Sequence, residues 1–197
     1  MSDTWFDRPV LNGRYVRLEP LAPEHAEGLL AAGKDPGVWT WLSMRQPADV
    51  AGMRALVEKM LAAYELRAQV PWVQLDAATG EVAGTTSYYE VDPVNRAVAI
   101  GHTWLGAPWH RTGVNTESKL LLMGRAFEDL GAVRVVWHTH IRNERSRAAI
   151  QRLGASFEGI HRKHRLLADG TYRDTATYSM IDTEWPEARA ALRARLR

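Results

Sequence analysis

Between Arg14 and Leu21 the side chains alternate, Val16 and Leu18 interleaved with Tyr15, Arg17 and Glu19, which is the two-residue period of a half-buried strand. Pro23 opens a short helix through Leu29 and Leu30 that Gly33 can end. Residues 35–44, DPGVWTWLSM, read as a loop carrying Trp39 and Trp41. Pro47 and Asp49 then start a longer helix in which Met53, Leu56, Met60, Leu61 and Tyr64 recur at helical spacing. Three strands follow, VPWVQLDA, EVAGTTSYYEV and AVAIGHTWLGA, separated by turn residues at Thr79-Gly80 and at Pro93 and Asn95, the pattern of an antiparallel meander.

Downstream the period changes again. Leu120, Met123, Phe127 and Leu130 predict one face of a helix from about Thr116 to Leu130, with Gly131 just past its end. VRVVWHTH (Val133 to His140) is a β-branched strand. Asn143 is a good N-cap for a helix that stops at Gly154. ASFEGIHRKHRLL and TYRDTATYSMI form a hairpin around Asp169-Gly170, a type I′ signal. The last stretch, residues 184–197, is a helix with its cations toward the C-terminal end, favourable to the helix dipole. The order βααβββαβαββ plus a terminal helix predicts an α+β fold, expected as one domain over 1–197 with a core at about 14–181.

Composition changes this picture little. Of 197 residues, 46% are hydrophobic and 24% charged, enough for a sizeable core, and the formal charge of +2 is short of the concentrated positive stripe of a nucleic-acid binder. No cysteine is present, which excludes disulfides, thiolate metal sites and an acyl-cysteine intermediate. No apolar run approaches the roughly 18 residues of a membrane span and the N-terminal stretch has no signal-peptide pattern, so no membrane partner and a cytoplasmic location are expected.

Candidate chemistry gathers at PWHRTGVNTESKL, residues 108–120. A strand ending at Trp104-Leu105-Gly106 runs into His110, Arg111, Thr112, Gly113, Val114 and Asn115 at a helix start, where free N–H groups and the helix dipole suit an anion such as phosphate. Gly113 allows close backbone approach, Arg111 and Lys119 supply charge, and Thr112, Asn115 and Thr116 supply short polar side chains. Neither GxxxxGK[ST] nor a multi-glycine dinucleotide fingerprint is present. Alone, the segment suits a capped loop as well as an anion site.

With its neighbours it resembles the GCN5-related N-acetyltransferases (GNAT), in their RimJ/RimL-like branch. The family's [QR]xxGx[GA] motif aligns with His110 to Asn115, followed by Thr116 and Glu117, by FEDLGAVRV, by N-x-x-S at Asn143 and Ser146, by Leu153-Gly154, and by EGIHRKHRLLADGTYRDTATYSMI. The similarity runs from Arg14 to Ile181. It implies a mixed, mostly antiparallel sheet flanked by helices, with acetyl-CoA as co-substrate in a V-shaped cleft between strands 97–107 and 133–140. The backbone of Thr103, Trp104 and Leu105 would hold the pantetheine arm, and the N–H groups of Arg111 to Thr116 the pyrophosphate. Asn143 would bond the pantetheine or acetyl end, Ser146 would lie near the sulfur, and Arg147 is a further phosphate candidate. Trp39 and Trp41 fall where the family lines its acceptor pocket; core packing or an interface explains them equally.

Departures shape the expected chemistry. The chain has His110 and Asn115 where the family has Arg or Gln and Gly or Ala, Ile150 where many members carry an acidic tyrosine, and Ala99 where a glutamate base is frequent. Ser146 would then hydrogen-bond the leaving thiolate, and His102 or a water chain would accept the amine's proton. A weakly basic acceptor suits this site: an α-amine of pKa about 7.7–8.0 is roughly a tenth neutral at pH 7, a lysine less than a thousandth. The expected reaction is acetyl transfer to a primary amine of a protein or peptide N-terminus or a small molecule; the alternative is an acyl-CoA-binding regulatory protein without turnover. His138 and His140 share a strand face, yet with no HExxH and no suitably spaced acid no metal is expected. The basic residues at 142–165 are interspersed with acids and suit a CoA phosphate or a solvated surface, so no nucleic acid is expected. A homodimer or higher homo-oligomer is an open possibility.

Overall fold

The computed structural model describes residues 3–167 and 170–196. Its centre is an eight-stranded sheet ordered β1-β2-β3-β4-β5-β6-β8-β7. The strands are β1 (Leu11–Asn12), β2 (Val16–Pro20), β3 (Gln69–Asp76), β4 (Val82–Asp92), β5 (Ala97–Leu105), β6 (Arg134–His140), β7 (Ser156–Leu166) and β8 (Tyr172–Ile181). The helices are α1 (Ala26–Ala32), α2 (Val50–Glu65), α3 (Gly113–Gly124), α4 (Glu144–Arg152) and α5 (Trp185–Arg195). All strand pairs are antiparallel except β5 with β6, which is parallel.

Alternation along the strands sends neighbouring residues to two apolar clusters. Trp72, Val98, Ile100, Val135 and Trp137 pack with Leu122 and Met123 of α3 and with Trp185 of α5. Val73, Leu75 and Trp104 pack with Leu29 of α1 and with Met53, Val57 and Met60 of α2. Trp72 and Val73 are adjacent in sequence yet lie in different clusters. The sheet is therefore a central layer with helices on both faces, and full burial of side chains such as Leu122 or Val57 contributes about 1.5–3 kcal/mol each.

Three element boundaries differ from the sequence expectation. The first strand starts at Val16, not Arg14, because the Glu117 carboxylate of α3 accepts the N–H groups of Arg14, Tyr15 and Val16 at 2.9, 2.5 and 2.9 Å. The short β1 before it, paired antiparallel with β2, was not expected. The central helix starts at Gly113 rather than Thr116, since Thr112 caps it: its hydroxyl accepts the Val114 N–H and donates to Trp109 O. That helix also does not stay α-helical to Leu130. A π-turn at Arg125–Asp129, closed by Leu130 N–H on Arg125 O, widens its end before Gly131 turns the chain at φ 65°. The type I′ turn expected at Asp169-Gly170 falls on residue 169, outside the described residues.

Candidate active site

β5 and β6 pair over only three residues each, Ala97–Ala99 with Arg134–Val136, and then diverge. Two local features drive them apart. On β5 the register against β4 slips between Thr85 and Ser87, and His102 there takes φ 47°. On the far side of β6, β8 holds the strand in antiparallel register along its whole length, from Arg134 to His140. The gap opens into a cleft of about 1440 Å³, walled by Ile100–Leu105, Trp137–His140, the start of α3 and the inner face of α4.

At one end, the chain between β5 and α3 is built for a fixed polar corner. His110 links the two sides, its Nε2 2.9 Å from Leu105 O and its Nδ1 3.4 Å from the Arg145 guanidinium of α4. A guanidinium can only donate, so Nδ1 accepts, and Nε2 carries the proton to the carbonyl. Arg111 bends the backbone at φ 62° and is exposed. The first N–H groups of α3 face this corner, Val114 N–H being shared with the Thr112 cap. Gly113 has a reason other than ligand approach: a Cβ there would lie 2.7 Å from the Tyr15 ring.

α4 supplies the next wall. Asn143 Oδ1 accepts the Ser146 N–H at 3.1 Å, the helix cap its sequence promised, which fixes the side chain and leaves both N–H donors of its amide for a ligand. Ser146 and Ile150 line the cleft one turn apart. On β6, Trp137 Nε1 is buried in the cleft wall with no hydrogen-bond partner among the described residues.

A second group of side chains fills the other end. His102 packs edge-on against Tyr89, ring centroids 5.0 Å apart, and Tyr89 Oη lies 2.9 Å from His138 Nδ1. His161 and His164 stand 6.3 and 6.0 Å from His138, and Glu90 reaches toward both His138 and Arg165. Desolvation lowers the pKa of the half-buried His138 and His164 and also of His102, whose ring is exposed to the cleft; the shift favours the neutral form that can accept a proton. Among the described residues no group of His, Asp or Glu is arranged to hold a metal ion, and no helix is long and apolar enough to cross a membrane.

Most of the predicted site residues line this one cleft: Trp41, His102 to Leu105, His110 to Thr112, Asn115, Thr116, Lys119, Asn143 and Ser146. Four do not. Trp39 is buried against Trp104, with Nε1 bonded to Gly33 O, so it is core packing. Val114 is core, Gly113 is covered by Tyr15, and Arg147 is turned away to Tyr178 Oη and Ile141 O. Lys119 lines the cleft but supplies no charge to the helix start: its Nζ is buried against Thr86 and Thr103. Sequence reasoning missed Tyr89, Trp137 and Arg173, and had Arg165 only as one of a basic group suited to a CoA phosphate or a solvated surface. The one sequence signal near them is the alternation that puts His138 and His140 on a shared strand face, and it says nothing of which other strands meet that face.

Comparison with known proteins agrees with this geometry. The acetyltransferase (GNAT) domain model matches residues 16–156. The Bacillus subtilis protein named "Putative ribosomal N-acetyltransferase YdaF" is 34% identical over 106 residues, 54% of this chain and 57% of that protein, so the match spans little more than half of the relative's length. A crystal structure of a GCN5-related N-acetyltransferase from Brucella melitensis is 35% identical, covers 97% of this chain and 86% of that one, and superposes with a TM-score of 0.92. A second solved structure, from T. thermophilus, is 39% identical with 97% and 98% coverage and a TM-score of 0.88.

Proposed function

The chain belongs to the GNAT acetyltransferase family, and from that premise we propose that it is a RimJ/RimL-like member that moves the acetyl group of acetyl-CoA onto a primary amine, preferably the α-amine of a protein or peptide N-terminus. The observation that carries this reading is the cleft between the diverging β5 and β6, with a capped helix start on one side and the His102, Tyr89 and His138 group on its wall.

The residues fit such a co-substrate. The extended backbone of Thr103 to Leu105 offers the edge on which a pantetheine amide chain can bond as an added strand. The start of α3, with Arg111 and the Thr112 hydroxyl, suits a diphosphate. The unpartnered Trp137 Nε1 is a buried donor that a carbonyl oxygen would satisfy, removing a cost of about 1–3 kcal/mol. The amide of Asn143 and the Ser146 hydroxyl face the same space.

On the amine side the proton must leave toward a base. Ala99, at the frequent glutamate position, is buried and inert. His102 stands three positions further on β5, its ring exposed to the cleft, and its lowered pKa favours the neutral, proton-accepting form. A base of depressed pKa is weak, which favours an acceptor already about a tenth neutral at that pH. The relative's name joins this reading: a ribosomal N-acetyltransferase is a protein-directed enzyme.

Buried Ile150, where an acid would stand, favours a second reading, a CoA-binding protein without turnover. Release of free CoA thiol in the presence of a panel of α-amino peptides and small amines decides between them. Steady amine-dependent release is expected; acetyl-CoA bound without release by any amine would replace the first reading by the second.

A further inference from the structure

One titratable side chain in the cleft has no part in the steps above. Lys119 projects from α3 into the sheet, 5% exposed, and its Nζ lies 2.6 Å from Thr103 Oγ1 on β5 and 3.0 Å from Thr86 Oγ1 on β4. The two hydroxyls are themselves 2.8 Å apart. Among the described residues no carboxylate pairs with this amine. The histidines of the neighbouring strands, His102 and His138, group around Tyr89 instead. From α4, Ile150 presents hydrocarbon and Arg147 is committed to Tyr178 and Ile141. Desolvation alone lowers the Lys119 ammonium to about 7. At neutral pH the group is thus partly charged, and it releases its proton readily.

Among the described residues, this wall of the cleft offers no other ready proton donor to a sulfur. Lys119, Thr103 and Trp137 line it together with Ser146 and Ile150, and a serine hydroxyl is a poor proton donor. A departing thiolate, whose conjugate thiol has a pKa of about 8.5, needs one proton there.

We propose that Lys119, acting through the Thr103 hydroxyl it contacts, is the proton donor to the coenzyme A thiolate released during acetyl transfer. This rests on the acetyl-transfer reading given above. As the acceptor nitrogen bonds to the carbonyl carbon, the carbon–sulfur bond breaks with its electron pair on sulfur. The Thr103 hydroxyl, which in the structure donates to Gly101 O at 3.2 Å, turns to the sulfur and gives it its proton, and Lys119 Nζ replaces that proton. The acceptor nitrogen gives up one proton toward His102 and solvent, and neutral Lys119 regains one from solvent, so each turnover closes on one amide and one thiol.

Lys119→Met keeps an unbranched stem of similar length and removes the donor; Lys119→Gln serves if that variant does not fold. The expected result is a kcat lower by about 10²-fold, with KM for acetyl-CoA within about threefold and loss of the falling alkaline limb expected of the wild type. A readout free of turnover is the ¹⁵N resonance of Lys119 Nζ titrated with coenzyme A and with desulfo-coenzyme A bound: a nearby thiolate should raise the apparent pKa in the first complex only. Thr103→Val should reproduce the kcat loss. Unchanged kcat in Lys119→Met, identical Nζ titrations in the two complexes, or a fully active Thr103→Val would each overturn the proposal. If the wild type releases no thiol with any amine, the acetyl-transfer reading itself fails; if it turns over and Lys119→Met does so equally, only the role of Lys119 fails.

Discussion

Gly113 shows how one residue's reason for being there changes between sequence and structure. Read in line, it is the glycine of a phosphate loop. In the fold the Tyr15 ring occupies the place of its missing side chain, 2.7 Å from a built Cβ. Gly113→Ala is therefore expected to destabilise the chain by about 1–3 kcal/mol, the cost of overpacking, read as a lower urea midpoint, and Tyr15→Ala in the same chain should restore most of it. A variant as stable as the wild type would mean that Tyr15 moves freely and that the glycine answers only to a ligand. Asn143 is the opposite case. Its capping role was legible, because a cap depends on the next three residues alone, and the structure shows Oδ1 held by that cap with the NH₂ left for other bonds.

At the scale of elements, the splay of β5 and β6 depends on what lies beyond β6. Arg134 of β6 and Ser179 of β8 both hydrogen-bond Glu158 of β7, Arg134 through a paired contact at 2.6 Å on one oxygen and Ser179 at 2.7 Å. The Arg134 guanidinium holds the Glu158 carboxyl down to about 2, well below its ordinary range. The folded state thus binds this proton less tightly than the unfolded chain. The contribution is present above about pH 4.3 and is lost as pH falls through 2. Between these limits the wild type should lose protection of the β7 amides in hydrogen exchange, while Glu158→Gln should be weakened at neutral pH and nearly insensitive to acid over the same range. Equal acid sensitivity in both would remove Glu158 from the account. The pair is partly exposed, so the effect should also shrink in high salt. The hairpin of β7 and β8 was legible from its strand patterns. That β8, not β7, would sit beside β6 was not, since both strands could offer a partner edge and only packing selects one.

For the whole molecule, the reading requires that the cleft bind acetyl-CoA as a single large ligand across both walls. Binding to the folded state alone should raise stability by about 2.7 kcal/mol at a concentration 100 times the Kd, seen as a ligand-dependent rise in Tm. No shift at any concentration would remove the co-substrate from this cleft. The sequence by itself determined the α+β class, the meander, the helix starts at Asp49 and Asn143, and the motifs that mark the family, because caps, periods and turns are set by residues within a few positions of one another. Only the tertiary structure decided that Glu117 anchors the first strand, that Arg147 and Trp39 leave the site, and that Lys119 meets Thr103. Those are contacts between residues on different elements, and the free energy of burying a charge or filling a glycine's empty side is fixed by whatever the fold sets against it.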